Sequence, residues 1–347
     1  MKSLVCFLLL LAITGDVVSG DRVEKEYKTM FDNFVTEHRK TYDNYGEYTK
    51  RYLIFKDNAR KVDNHNAANH SWSMRLNEFA DLTSNEFSTM YIGKTRAKSR
   101  NSYLNSYRNS YSYDCDDMGF CYNRYLYDTS GLPNTWDWSH QGVVTPIKNQ
   151  GQCGSCWAFS TTGALEGAYA IANKKLYSLS EQELVDCSGS FGNEGCQGGL
   201  MDDAFMFVKQ DGICKESAYP YEAENERCNK TCTPVFKISG YTDVPTSNED
   251  ALQIAVHTQP VSVAIEADHT SFQFYSRGVF NLANCGYQLD HGVLVVGWGV
   301  EGGLKYWKVK NSWGPSWGDH GYILLARDTK DSRGQCGIAM QPSYPNM

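Results

Sequence analysis

Two cysteines stand close together where a helical pattern begins. Cys153 and Cys156 are separated by Gly154 and Ser155, and apolar residues follow at helical spacing to about Asn173. Ser155 is the predicted N-cap of this helix. Backbone N–H groups and the helix dipole favour an anion at a helix N-terminus. Cys156 is therefore the cysteine best placed to react as a thiolate nucleophile.

Two other functions of this cysteine pair remain open at this point. One is a dithiol redox pair, although the loop before Cys153 does not supply the βαβ setting of thioredoxin-like proteins. The other is a purely structural role. Zinc binding is disfavoured because the sequence offers no second pair of cysteines at the same spacing.

A nucleophilic cysteine needs a base, and one histidine has a distinctive setting. His291 precedes an apolar strand pattern that turns near Glu301 and returns to Asn311. Folding this hairpin about Glu301 places His291 and Asn311 opposite each other, because both are equally far from the turn. The Asn311 amide oxygen could then accept the imidazole N–H. The remaining histidines of this region lack such a setting: His140, His257, His269 and His320.

The N-terminal residues indicate a secretory signal over residues 1–20. Lys2 precedes an apolar run from Leu4 to Ile13, and small residues follow up to Gly20. The run is short for a membrane span, so an uncleaved anchor is the less favoured alternative. The chain has 12 cysteines, and Cys6 leaves with the signal. The odd number that remains in an oxidising compartment predicts one free thiol.

The charge balance disfavours two classes of partner. The 347 residues contain 40 acidic and 33 basic side chains, for a net charge of -7, and the excess acid lies in the C-terminal two thirds. Nucleic acid and anionic membranes both require a basic surface. We therefore expect neither a nucleic acid nor a membrane partner.

Residues 92–131 read as an exposed linker. Between Ile92 and Tyr113 the chain is basic and repeats Asn-Ser-Tyr at positions 101, 105 and 109. Such polar low complexity cannot build a core, and an exposed linker is a site of proteolysis. A ligand-binding tyrosine repeat is the alternative. Cys115 and Cys121 follow and are close enough to pair with each other.

The segment before the linker contains a predicted helix from about Glu47 to Asn66. One face of this helix mixes apolar and polar residues: Glu47, Arg51, Phe55, Asn58, Val62 and Asn66. The mixture predicts buried polar links to a second element. Chance on a solvated helix is the alternative explanation.

The region from about residue 132 changes character halfway along. The helix after Ser155 comes first, and strand patterns separated by glycine-rich turns come later. The predicted strands are Val261–Ile265, Gly292–Val296, Lys305–Val309 and Gly321–Leu325. A helical half and a β half would leave a groove between them.

Several blocks together resemble papain-family cysteine peptidases. The run from Gln150 to Ser160, QGQCGSCWAFS, is similar to the active-site segment of this family. Similar blocks surround His291, Asn311 and Gly195–Gly199. The helix over Glu47–Asn66 resembles the prosegment helix of the cathepsin L-like branch, and a second prosegment motif is matched by Asn77, Phe79 and Asp81. Three positions depart from the usual pattern, namely Val62, Arg75 and Gln197.

The resemblance implies an α+β, papain-like, two-lobed fold with a helical lobe and an antiparallel, barrel-like β lobe. It implies an inhibitory prosegment over 21–91 and a mature domain over 132–347. The prosegment would block the cleft until acid weakens carboxylate contacts and the linker is cut. Protein and peptide substrates are expected, with cystatin-like inhibitors as further partners. We expect a monomer without cofactor or metal, in a lysosome-like acidic vesicle or outside the cell.

The resemblance also implies roles for the catalytic set. Cys156 would be the nucleophile and His291 its proton partner, as a thiolate–imidazolium pair. Asn311 would orient the imidazole, and Trp313 would shield that hydrogen bond from water. The Gln150 side chain and the Cys156 backbone N–H would hold the oxyanion. A catalytically silent binding or storage relative is disfavoured because this set is intact.

Substrate contacts follow from the same resemblance. Gly199 would pair with the substrate backbone. A pocket for a bulky apolar residue, the second before the scissile bond, would be formed by Leu200, Met201, Ala264 and Gly292. Gln341 would lie at its floor, unless its side chain points away.

The family pattern implies disulfides Cys153–Cys196, Cys187–Cys228 and Cys285–Cys336. Pairing Cys214 with Cys232 and Cys115 with Cys121 then leaves Cys156 as the free thiol. The sequons at Asn69 and Asn229 are candidate glycosylation sites.

Overall fold

The computed structural model describes residues 22–92 and 127–347, together with the backbone of residues 114–115 and 121–122. The predicted signal and the Asn-Ser-Tyr repeat lie outside the described residues. The helices are α1 (Glu24–Glu37), α2 (Tyr45–Ala67), α3 (Ser84–Tyr91), α4 (Cys156–Asn173), α5 (Glu181–Cys187), α6 (Met201–Gln210), α7 (Glu249–Thr258) and α8 (Thr270–Gln273). Among the described helices, none combines the length and the apolar composition needed to cross a membrane.

The strands are β1 (Trp72–Met74), β2 (Asp114–Cys115), β3 (Cys121–Tyr122), β4 (Trp136–Asp137), β5 (Gly240–Asp243), β6 (Val261–Ile265), β7 (Tyr275–Phe280), β8 (His291–Glu301), β9 (Leu304–Lys310), β10 (Tyr322–Ala326) and β11 (Ser343–Asn346). Each of the four predicted strands is present, with β6 at its predicted bounds. Nine strands form one sheet in the order β1-β7-β10-β9-β8-β6-β11-β5, with β4 paired to β8. The expected antiparallel lobe is only partly antiparallel, because β7 and β10 run parallel.

Helix α2 contains the predicted mixed face. Asn44 caps it by accepting a hydrogen bond from the Glu47 N–H at 3.0 Å. Phe55 and Val62 are buried, and the buried Asn58 amide donates to the Ala80 and Leu82 carbonyls, both at 2.9 Å. The prediction of buried polar links to a second element is confirmed.

A charged cluster ties α2 to α3. Arg51 donates to Glu47 at 2.6 Å, to Glu86 at 3.0 Å and to the Asp81 carbonyl at 3.0 Å. Glu86 also completes the cap of α3, because its carboxylate accepts from the Thr83 N–H. Burial alone would raise the pKa of Glu86, but the bonds from Thr83 and Arg51 lower it to about 2. The carboxylate therefore stays ionised in mild acid.

The N-terminal segment, residues 22–92, joins the main sheet through β1. Strand β1 pairs antiparallel with β7, and Trp72 lies opposite Gly278. Gly278 has φ +84°, and a Cβ there would lie 2.4 Å from the Ser71 carbonyl oxygen. A glycine is therefore required for the two strands to approach each other.

Helix α4 is buried over almost its entire length and starts at Cys156. The expected side-chain cap is absent, because Ser155 makes no capping hydrogen bond. Its hydroxyl lies 2.5 Å from the Tyr221 hydroxyl instead. The prediction of Ser155 as the N-cap residue is therefore confirmed, although its side chain makes no capping hydrogen bond.

The hairpin of β8 and β9 differs in register from the predicted one. It turns at Gly302 and Gly303, and β8 has a bulge between Val295 and Gly297. Leu294 lies opposite Lys310, so continuing this register places Val293, not His291, opposite Asn311. His291 is two residues away on the same face, which is close enough for a diagonal contact.

Four disulfides link the described cysteines: Cys153–Cys196, Cys187–Cys228, Cys214–Cys232 and Cys285–Cys336. They are the pairs set out from the sequence. Cys115 and Cys121 face each other across β2 and β3 in the backbone register, but their side chains lie outside the described part. Both sequon asparagines, Asn69 and Asn229, are exposed.

Candidate active site

Cys156 lies where the helical half meets the sheet. It is buried at the first position of α4 and lies outside the four disulfides. The Gly292 N–H donates to its sulfur at 3.3 Å. A Cβ on Gly292 would approach the Trp157 Cα to 3.1 Å, so a glycine lets β8 pass close to the helix terminus. His291, the residue before Gly292, is thereby held beside the thiol.

Cys153 does not form a dithiol with Cys156. It is bonded to Cys196, and the Gly154 N–H donates to the Cys196 carbonyl at 3.0 Å. This disulfide fixes the turn that precedes α4. The redox alternative for the pair is therefore disfavoured in the folded protein.

The His291 imidazole is fully buried and oriented from two sides. Its Nε2 lies 2.7 Å from the Asn311 Oδ1, which also accepts from the Ser312 N–H at 2.8 Å. The Trp313 ring stacks on the imidazole with centroids 4.5 Å apart. Because Oδ1 is an acceptor, Nε2 carries the proton, and Nδ1 is the basic nitrogen. Within the described part of the chain, Nδ1 has no hydrogen-bond partner.

Burial sets the protonation of this imidazole. It lowers the pKa of His291 to about 4, although the hydrogen bond to Asn311 acts in the opposite direction. In this covered site the ring is therefore neutral at neutral pH.

The Gln150 side chain is fixed at both ends of its amide. Its Oε1 accepts from the Ser312 hydroxyl at 2.6 Å, and its Nε2 donates to the Cys153 carbonyl at 2.9 Å. The Gln150 backbone N–H also donates to the Ser312 carbonyl at 2.8 Å. These bonds fix which end of the amide is the donor.

The end of α3 covers this donor. The Tyr91 carbonyl accepts from the Gln150 Nε2 at 2.9 Å and from the Trp313 Nε1 at 3.3 Å. The Phe87 ring packs edge-on against the Trp313 ring at 5.0 Å. The prosegment thus occupies hydrogen-bond donors beside the thiol with one of its own peptide carbonyls.

A second set of contacts anchors the prosegment around Gln273. The Asn77 amide donates to the Gln273 carbonyl at 2.8 Å, and the Gln273 amide donates to the Phe79 carbonyl at 3.0 Å. Arg75, one of the departures from the family pattern, donates to the Ser316 carbonyl at 3.0 Å. The departure therefore adds a contact with the main domain.

Two of the predicted pocket residues pack in one buried cluster. Met201 and Ala264 belong to one buried apolar cluster with Trp157 and Leu294. Gly199 packs on the Trp157 indole, which a Cβ would approach to 2.8 Å. Leu200 and Gln341 are half-buried, and Ser343, two residues after Gln341, donates to Asp202 at 2.6 Å.

Sequence reasoning missed three residues around the site. Ser312 lies inside a block noted for its neighbours Asn311 and Trp313, so it could have been found there. Tyr221 gave no signal, because its partners come from distant loops. Tyr91 acts through its backbone carbonyl, which any residue carries.

The fold is that of the papain family, and the chain belongs to this family. Residues 132–346 match the papain family cysteine protease domain, and residues 31–87 match the cathepsin propeptide inhibitor domain (I29). The protein is therefore a cysteine endopeptidase with a propeptide that inhibits it intramolecularly. The papain-like α+β fold expected from the sequence is confirmed.

Several curated relatives and solved structures match most of this chain. The chain is 44% identical to a probable cysteine protease RD21C of Arabidopsis thaliana, over 99% of this chain and 74% of that protein. It is 44% identical to the senescence-specific cysteine protease SAG39 of Oryza sativa subsp. japonica, over 90% and 88%. The proform of Amb a 11, a ragweed pollen allergen, superposes with a TM-score of 0.80 at 39% identity, covering 94% of this chain and 96% of that one. A digestive procathepsin L 3 of Tenebrio molitor superposes with a TM-score of 0.78 at 40% identity, covering 92% and 99%.

Proposed function

We propose that Cys156 and His291 hydrolyse peptide bonds through an acyl-enzyme. The Cys156 thiol gives its proton to the His291 Nδ1, and the sulfur attacks the substrate carbonyl carbon. The imidazolium then protonates the leaving amine as the C–N bond breaks, which leaves a thioester. His291 next takes a proton from water, which attacks the thioester and releases the acid and the thiol. The observation that carries this proposal is the bond from Gly292 to the Cys156 sulfur, with His291 held by Asn311.

We propose the Gln150 Nε2 and the Cys156 backbone N–H as the oxyanion donors. The preset orientation of the Gln150 amide supports this role, and so does its bond to a peptide carbonyl, that of Tyr91. Donors fixed in advance stabilise the charge that develops on the oxygen without reorganisation. Trp313 covers the His291–Asn311 bond, which keeps water from competing for it.

We propose that the enzyme prefers a bulky apolar residue at the second position before the scissile bond. Met201, Ala264 and Gly292 supply apolar or small walls near Cys156, with Leu200 beside them and Gly199 available to pair with the substrate backbone. Gln341 is proposed as the floor. Replacing Gln341→Glu should raise cleavage of peptides with Arg at this position relative to Phe. An unchanged Arg to Phe ratio would remove Gln341 from the pocket.

Papain-family proteases with such propeptides are generally secretory-pathway enzymes. We propose that this chain acts as a monomer in an acidic vesicle or outside the cell, after removal of residues 1–20. Cleavage within residues 92–131 would separate the prosegment, 21–91, from the enzyme, 132–347. Cystatin-like proteins are proposed inhibitors, and glycans on Asn69 and Asn229 fit the exposure of both residues.

Covalent labelling tests the proposed nucleophile. The full chain is incubated in acid, treated with a peptide epoxide and digested, and the modified peptide is identified by mass spectrometry. We expect modification at Cys156 only in acid-processed protein, and none in the Cys156→Ala variant. Peptide hydrolysis without Cys156 labelling would contradict the mechanism. Labelling without hydrolysis would favour the silent, binding relative.

A further inference from the structure

We infer that Tyr221 is a positioning residue of the oxyanion hole. The inference rests on the proposed roles of Gln150 and Cys156. One phenol oxygen joins the two segments that carry the proposed donors. Tyr221 touches neither substrate nor the reacting atoms, so its effect would be exerted through those two segments.

The geometry of the Tyr221 hydroxyl is that of a bridge. It donates to the Gln150 carbonyl at 2.8 Å and lies 2.5 Å from the Ser155 Oγ. A phenol has one hydrogen, so when that hydrogen points to Gln150 the Ser155 hydroxyl is the donor of the second bond. Ser155 immediately precedes Cys156. The backbone of both proposed donor segments is thus bonded, directly or through one side chain, to a single atom.

Tyr221 is itself held in place. Its backbone N–H donates to the Glu216 carboxylate at 2.9 Å, and its ring packs edge-on against the Phe159 ring at 4.9 Å. Burial raises the pKa of Tyr221 well above its ordinary value, so the phenol stays protonated and keeps its hydrogen for Gln150. Phe159 belongs to α4, so this contact also fixes the Tyr221 ring relative to the helix that starts at Cys156.

The missing cap of α4 supports this assignment. A serine at an N-cap normally accepts a hydrogen bond from a backbone N–H of the first helical turn. Ser155 makes no such bond and directs its hydroxyl to Tyr221. The Ser155 hydroxyl therefore links the two donor segments and does not cap the helix.

The test compares a reaction that needs an oxyanion with one that does not. In Tyr221→Phe only the bridging oxygen is removed. We expect kcat for a peptide amide to fall about tenfold, since a displaced donor loses part of its stabilisation, while KM changes less than twofold. Alkylation of Cys156 by iodoacetamide forms no oxyanion, and its rate and pH profile should stay unchanged.

Tyr219→Phe is the matched control. Tyr219 lies in the same loop, and its hydroxyl donates to Asp186 at 2.8 Å and accepts from the Asn229 N–H at 3.1 Å. It has no bond to Gln150 or Ser155, so its loss should leave kcat unchanged. Ser155→Ala breaks the same bridge from its other end and should reproduce the Tyr221→Phe result. The double variant should be no slower than the slower single one, because both remove one bridge.

Three outcomes would overturn the inference. They are an unchanged kcat in Tyr221→Phe, an equal fall in hydrolysis and alkylation, and an equal fall in the Tyr219→Phe control. In each of these cases the proposed function would still stand, provided that the wild-type enzyme is alkylated at Cys156 and hydrolyses peptides. Absence of both reactions in the wild type would instead remove the proposed function, and this inference with it.

Discussion

At the scale of single residues, the site depends on an imidazole that is held by neutral groups. His291 is bonded to an amide, not to a carboxylate, and its ring lies under the Trp313 indole. An amide oxygen fixes the ring without adding a negative charge. The charges that would determine reactivity are then those of the proposed pair, the Cys156 thiolate and the His291 imidazolium.

Replacing Asn311→Ala should lower kcat on the order of 100-fold, because an unoriented base loses much of what general acid–base catalysis supplies. KM should change little, since Asn311 lies behind the imidazole. Steady-state kinetics on a peptide amide measures both values. Asn311→Gln keeps the amide but lengthens the side chain by one methylene, and it serves as the comparison. A variant as fast as the wild type would contradict the orienting role.

The residues proposed for catalysis could be selected from the sequence, and the residues that hold them only in part. Cys156 stands in a local pattern, and His291 and Asn311 flank one hairpin. Tyr221 and Ser155 meet only after the chain has folded, so a rule based on sequence neighbours located the N-cap residue but not the partner of its side chain. Local propensity was overridden by a tertiary hydrogen bond.

At the scale of elements, the prosegment is held together by charges in a half-buried setting. The Arg51 side chain is only 14% exposed and bonds two carboxylates and a carbonyl. Replacing Arg51→Met should destabilise the prosegment by about 3 kcal/mol, because it leaves Glu86 without its buried partner. Thermal unfolding of the full chain in a Cys156→Ala background, which cannot cut itself, measures the loss.

Lys50→Met is the matched control for Arg51. Lys50 also pairs with Glu86, at 3.3 Å, but its side chain is 54% exposed. An exposed pair contributes under about 1 kcal/mol, so the unfolding temperature should hardly move. Equal effects of the two substitutions would mean that burial does not strengthen the Arg51 cluster.

Two stacked histidines lie where α2 leads into β1. The rings of His65 and His70 are 4.2 Å apart and nearly parallel, and the His65 Nε2 lies 3.1 Å from the Trp72 carbonyl. Burial and the charge of His70 lower the pKa of His65, while the Trp72 carbonyl raises it. Trp72, which packs on His65, also packs on Phe280 of β7, so separating β1 from β7 would loosen the setting of His65 and let the released prosegment bind more protons. Falling pH below about 6.5 favours release.

Replacing His65→Gln should shift the midpoint of acid activation to lower pH, by roughly half a unit, because the variant no longer gains a proton on release. Activity recovered after incubation at a series of pH values gives the midpoint. His38→Gln, in the same prosegment but beside Phe34 rather than β1, should leave the midpoint unchanged. A His65→Gln midpoint equal to that of the wild type would exclude the stacked pair as a pH sensor.

The pairing register of the β8–β9 hairpin could not be predicted from the sequence pattern of the two strands. The alternation of apolar and polar residues, together with the turn residues, did predict where both strands lie. The bulge near Gly297 and the turn at Gly302 moved the pairing by two residues, and neither leaves a signal in hydrophobic patterning. A register shift of two residues keeps each side chain on the same face of the sheet. His291 and Asn311 are therefore in contact although the predicted register is wrong.

At the scale of the whole molecule, acid activation would act on histidines as well as on the carboxylate contacts expected from the sequence. Glu86, which bonds Arg51 within the prosegment, has a pKa of about 2 and keeps its bonds at pH 4. His291, whose pKa is lowered to about 4 by burial, favours the open state once the pH falls below its ordinary 6.5. The stability that Glu86 adds is lost only between about pH 4.5 and 2.

We therefore expect acid to release a prosegment that is still folded. A Cys156→Ala chain, cut in the linker by an added protease, should keep its prosegment at pH 7 and lose it near pH 4.5 in size-exclusion chromatography. The released fragment should retain its helical circular dichroism signal at that pH. A fragment that unfolds before it dissociates would show that acid acts on the prosegment core instead.

The carbonyl of Tyr91 has a consequence for the timing of activation. Its oxygen already accepts from the Gln150 amide, the donor proposed for the scissile carbonyl, so departure of the prosegment would free that donor. The delay before the first turnover would then follow the residence time of the departing peptide. Fragments that end near Ile92 should consequently slow the newly formed enzyme by competing with its substrates.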